Sequence, residues 1–132
     1  MSYYFSTVLK GKSFEEALET VTIELKKEGF GILSEIDVST TLKSKINVDF
    51  KKYKILGACN PHFAHKALQN EDKIGVFLPC NVVVEENENG EVEVSAVDPI
   101  ASMISVKNEN LGKIAAGVQQ KMKNVIESLR KQ

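Results

Sequence analysis

The C-terminal stretch of the chain keeps apolar residues at helical spacing without a break: Leu111, Ile114, Ala115, Val118, Met122, Val125 and Leu129. At about 100° per residue these side chains form a single stripe, so the segment is a long amphipathic helix that must lie against an apolar surface. Arg130 and Lys131 at its end complement the negative pole of the helix dipole. A second such helix is written near the N-terminus. Ser13 followed by Glu16 is a capping-box signature, Phe14, Ala17, Leu18, Val21 and Leu25 continue the stripe, and Gly29 closes it. Stripes of this length need a sheet to cover, and the rest of the chain has to supply it.

Strand signals are present in the right number. Residues 2–10, "SYYFSTVLK", are aromatic and β-branched; "FGILSEIDV" and "YKILGAC" read as two more strands, with a short helix over Ser39–Val48 between them. Asn60 is a good N-cap and Pro61 sits at the first helical position, which predicts a helix over "NPHFAHKALQ". "IGVFLPCNVVVEE" is then expected as one long apolar strand, broken or bulged at Pro79, and "NENG" turns it back into "EVEVSAV". The order β-α-β-(α)-β-α-β-β-α argues for an α+β fold: a mainly antiparallel sheet with two long amphipathic helices packed on one face.

Length and composition bound the rest. At 132 residues, 42% hydrophobic and 27% charged, residues 1–132 are expected to form a single domain able to bury roughly two-thirds of its unfolded surface. A net charge of -1 supplies no global field for a polyanion or an anionic membrane, so neither nucleic acid nor membrane is expected as a partner. The basic stretch "LKSKINVDFKKYK" is read as a solvated face rather than a phosphate-binding surface. "MSYYFSTVLKGK" lacks the basic-then-apolar order of a signal peptide, and no apolar run approaches the roughly eighteen residues of a membrane span. A cytoplasmic protein is expected, in which two cysteines are thiols, ligands or redox groups rather than a structural disulfide.

All the cysteine and histidine lies between Cys59 and Cys80. Cys59, His62, His65 and Cys80 are residue types that zinc accepts, which makes them the candidate metal ligands, with zinc or another metal as the candidate cofactor. Helical geometry argues against the set. The apolar side of the 61–70 helix is Phe63, Ala64, Ala67 and Leu68, which leaves His62 and His65 on the solvent side. Cys80, by contrast, shares its strand parity with Ile74, Val76, Leu78, Val82 and Val84, a row expected in the core. Cys59 is better placed for chemistry, because a thiol just before a helix N-terminus sits where backbone N–H groups favour an anion. Asn60 has a complete explanation as a cap. Asn81, in an apolar strand, has none and is the more informative amide.

The segments "GFGILSEIDV", "YKILGACNP", "HKAL", "IGVFLPCNVVV" and "VSAVDP", in this order and spacing, resemble the bacterial and archaeal family called domain of unknown function 302. The resemblance spans essentially the whole chain, and "ILGACNP" followed by "LPCNV" is its specific part. It implies an α+β fold similar to one repeat of the TATA-binding protein, usually as a homodimer, and no established activity. Its motif falls on Gly57, Cys59, Asn60, Pro61, Pro79, Cys80, Asn81, Asp98 and Pro99; the histidines are outside it.

Three functional readings follow. The first is a homodimeric binding module whose small polar or metal-associated ligand docks near Cys59, Asn60, Cys80, Asn81 and Asp98, with Phe77 and Val83, on the outward row of the long strand, as interface residues. The second is a thiol enzyme with Cys59 as nucleophile or redox group, Cys80 as its resolving partner, and Asp98 or a histidine carrying the proton. The third is a structural or interaction protein in which both cysteines are packing.

Overall fold

The computed structural model describes residues 2–132. The elements run β1 (Tyr4–Leu9), α1 (Phe14–Lys27), β2 (Gly31–Asp37), α2 (Val38–Ile46), β3 (Tyr53–Cys59), α3 (Pro61–Asn70), a 3-10 helix (Asp72–Phe77), β4 (Cys80–Glu86), β5 (Val92–Val97), α4 (Pro99–Ser102) and α5 (Glu109–Arg130). The strands form one sheet of five in the order β1-β5-β4-β3-β2, every neighbouring pair antiparallel. α1 and α5 pack against each other and against the sheet, giving the α+β fold with helices laid on an antiparallel sheet. No helix among the described residues is long and apolar enough to cross a membrane.

Local chemistry accounts for the helix ends. Both halves of the capping box at Ser13 and Glu16 form, at 3.1 and 2.9 Å, and Gly29 takes the left-handed conformation (φ +86°) that only glycine adopts cheaply. Asp37 caps α2 by accepting from the Thr40 N–H, and Asn47 closes it with φ +54°. Asn108 caps α5 three residues before the first apolar residue of its stripe, Leu111.

The apolar stripes meet the inward row of the sheet. Val21 and Leu25 of α1 and Met122, Val125 and Leu129 of α5 pack with Leu56, Val82, Val84, Val94 and Ala96 in the main core. A second, smaller cluster gathers Ala67, Ile74 and Leu111 with Leu78, Met103, Val106 and Ile114, beneath the segment joining β5 to α5. It lies where α3, α4 and α5 converge.

One expected element divides in two. Residues 74–86 are not a continuous strand: Asp72–Phe77 coil into a 3-10 helix, the Leu78–Pro79 bond is cis, and the ladder begins only at Cys80, opposite Ala58. Pro79 has no N–H to give a ladder, and β3 has already ended at Cys59, so residues upstream of Pro79 have no strand to pair with. The row joining Ile74, Val76 and Leu78 to Cys80 therefore does not exist. Ile74 is buried in the second cluster while Val76 is 82% exposed. Phe77 likewise leaves the outward row it was expected to share with Val83.

Much of the basic stretch is neutralised, mostly by carboxylates of the neighbouring strands. Lys43, Lys51 and Lys54 pair with Asp49, Glu85 and Glu35 at 3.0, 2.6 and 2.6 Å.

Candidate functional site

Because Cys59 ends β3 just where Cys80 begins β4, the two thiols meet on the wall of one cavity. It has a volume of about 220 Å³ and lies between the end of the sheet, α3, α5 and the α4 segment. Phe63, Ala64 and Ala67 come from α3, Ile114, Ala115 and Val118 from α5, Pro99 and Met103 from the α4 segment, and Leu78 and Pro79 from the approach to β4. Apart from the thiols and Asn60 the walls are hydrocarbon. Gly117 makes one wall attainable: a Cβ there would lie 2.8 Å from Cε1 of Phe63, so its absence lets that ring close against α5.

The two thiols differ in state. Cys59 is half-buried and Cys80 is buried; burial, reinforced by the neighbouring Cys59, pushes the Cys80 thiol up to about 11. A group held neutral in this way contributes stability that is present below the pKa of the unfolded chain and lost as pH rises toward the folded value. Unfolding free energy should therefore fall by on the order of 1–3 kcal/mol between pH about 9 and about 11. Cys80→Ala should flatten that limb, as urea titrations at a series of pH values would show. An unchanged slope in the variant would remove the assignment.

Asn60 is 8% exposed and does two structural jobs. Its Oδ1 accepts from the Phe63 N–H at 3.5 Å, and its Nδ2 donates to the carbonyl of Glu28 at 3.3 Å, tying the start of α3 to the end of α1. Gly29 faces the same amide, and a Cβ there would stand 2.9 Å from Nδ2. Gly57 is similarly explained: its missing Cβ would press on Oγ of Ser34 and sit 2.7 Å from Cγ of Pro79. The proline ring occupies the space that a side chain at Gly57 would need.

Asp98 and Asn81 fall away from the thiols. Asp98 Oδ1 caps α4 by accepting from Ile100 and Ala101 N–H groups at 3.0 and 3.5 Å, and it also accepts from Gln119 Nε2 at 3.1 Å, so it fastens α4 to α5. It is the following residue, Pro99, that reaches the cavity. Asn81 stands opposite Gly57 on the other face of the sheet, exposed, in a shallow depression shared with Tyr53, Val83, Glu85 and Ser95. Its parity explains it: the strand is buried only on the row Cys80, Val82, Val84, and Asn81 belongs to the alternate row.

The histidines complete the picture. His62 and His65 are exposed on α3, and among the described residues no three of His, Cys, Asp and Glu are grouped as a metal would require. Of the expected site residues, the fold thus brings together Cys59, Asn60 and Cys80 and separates His62, His65, Asn81 and Asp98. The apolar walls, Phe63, Leu78, Met103 and Ala115 among them, carried no sequence signal, because their spacing is that of ordinary core residues.

Comparison with known proteins agrees with this architecture. A search of curated proteins returns no match. The crystal structure of an uncharacterized conserved DUF302 protein from Bacillus stearothermophilus is similar to this chain, with a TM-score of 0.89 and 28% sequence identity over 98% of this chain and 100% of that one. The family model described as domain of unknown function DUF302 matches residues 5–129, the stretch from β1 to the last turn of α5, and the chain belongs to that family.

Proposed function

We propose that the protein is a homodimeric binding module that holds an uncharged small molecule in the cavity beside Cys59, Asn60 and Cys80. The observation that carries this reading is the cavity itself. Well-packed interiors hold few voids larger than a water molecule, whereas this one, at about 220 Å³, exceeds the roughly 150 Å³ that accepts benzene in a dry apolar site. Its walls offer water almost no hydrogen bonds, and they offer a polar or metal-associated ligand no charge. The ligand chemistry that fits is therefore apolar, which differs from the polar ligand expected from the Cys-Asn pairs alone.

The dimer is supported by the face of the sheet turned away from α1 and α5. Tyr3, Tyr4 and Ile36 are exposed there, and Val83 and Val97 are half-buried. A second copy laid on this face would cover them, as sheet packs on sheet elsewhere.

Native mass spectrometry of the full chain tests both parts at once. The expected spectrum shows a dimer with a retained apolar molecule, or one that takes up the apolar probe N-phenyl-1-naphthylamine. Ala64→Trp, which fills the cavity from a half-buried position, should cut probe binding at least tenfold and leave the dimer mass unchanged. A wild-type protein that neither retains a molecule nor binds the probe would sink the ligand reading, and a monomer would sink the dimer.

A further inference from the structure

The cavity continues beyond one side chain. A second chamber of about 190 Å³, walled by Ile100, Ile104, Val106 and Gly112, shares Met103, Leu111 and Ala115 with the first. Leu111 and Ala115 are one turn apart on α5, so both chambers run along the same helical stripe. Met103 is the longest and most flexible of the three side chains that line both. Its unbranched thioether side chain has three rotatable bonds and adapts to irregular space, which makes it the most easily displaced wall available at that point.

Resting on the reading of the first chamber as a ligand site, we infer that the ligand is a straight-chain acyl group whose tail passes Met103 into the second chamber. Neither chamber is lined by lysine, arginine, histidine, aspartate or glutamate, and burial holds the Cys80 thiol neutral at ordinary pH. A charged head drawn inside would have no counter-ion. The polar end therefore stays at the mouth, where Cys59 is half-buried and Leu33 is 69% exposed. Volume favours a chain over a ring. If about 150 Å³ accepts the six carbons of benzene, the first chamber accepts roughly nine carbons and the second roughly eight more. A compact ring system stops at Met103, whereas a chain needs only the width of one methylene column beside it.

Displacement of N-phenyl-1-naphthylamine from delipidated full-length protein tests this, with straight-chain acids and their methyl esters of about six to about sixteen carbons as competitors. Affinity should rise about fourfold per added carbon and keep rising past roughly nine carbons. Ile104→Glu places a carboxylate in the second chamber from a position that is 71% exposed, where folding is not at stake, and Met103→Trp enlarges the shared wall. Ile104→Glu should bind nine-carbon chains like the wild type and lose the gain for longer ones, and Met103→Trp should lose that gain whatever it does to the shorter chains. Methyl esters should bind at least as tightly as the acids; equal binding assigns recognition to the chain, while acids binding and esters failing would overturn recognition by the chain. A flat length profile, or long-chain gain unchanged in both variants, overturns the acyl assignment while the probe still reports a ligand cavity. Failure of the wild type to bind the probe overturns the cavity reading together with it.

Discussion

Asn60→Ala should lower the unfolding free energy by about 2–3 kcal/mol, seen as a shift of the urea midpoint at constant slope. The amide caps α3 through the Phe63 N–H and donates to the Glu28 carbonyl at the end of α1. Loss of a capping side chain costs about 1 kcal/mol, and leaving a poorly solvated carbonyl unpartnered adds about 1–3. The Oδ1 contact is long, 3.5 Å, so most of the loss is assigned to the Glu28 side. Asn60→Ser keeps a capping oxygen and removes the amide donor, and should therefore recover less than half of the deficit. If Asn60→Ala were as stable as the wild type but lost probe binding, the residue would be a ligand group and not a strut.

Gly57→Val should cost about 3 kcal/mol, at the upper end of what overpacking does in a well-filled site. A Cβ at this position would approach both Ser34 Oγ and Pro79 Cγ to less than 3 Å. The serine hydroxyl can rotate away; the proline ring is locked to its backbone and cannot. Adding Ser34→Ala to Gly57→Ala should consequently recover only a minor part of the loss, because the contact with Pro79 remains. Thermal unfolding of the single and double variants measures this coupling, and full recovery in the double variant would show that the proline contact is not limiting. Both glycine and asparagine of "ILGACNP" thus have explanations in the fold, which leaves Cys59 and, beside it, Cys80 as the motif side chains on the cavity wall with no structural bond of their own.

The elements written in the sequence as long periodic patterns were legible to within a few residues. α1, β3 and α3 match their sequence limits because each is bounded by a local signal: a capping box, the Asn60-Pro61 pair, a glycine in the left-handed region. The stretch from Ile74 to Pro79 was not legible. Its composition suits a strand, but a strand needs a neighbour, and β3 ends at Cys59 before one can be offered. The exposed histidines followed from helical geometry alone, since a ten-residue amphipathic helix has only one side to bury. Asn81 looked anomalous because it was set against the apolar composition of the strand as a whole, although by parity it belongs to the outward row with Val83.

Sequence alone determined the α+β class, the long helices with the capping box of the first, and the family, because these depend on spacing and on short motifs read along the chain. Tertiary structure alone decided that Cys59 and Cys80 share a wall while Asn81 and Asp98 do not. It also decided that the shared wall encloses an apolar cavity with a second chamber behind Met103. The reason is physical: a cavity is what packing leaves unfilled where β3, β4, α3, the α4 segment and α5 converge. Its apolar lining residues look, one by one, like any others that belong in a core.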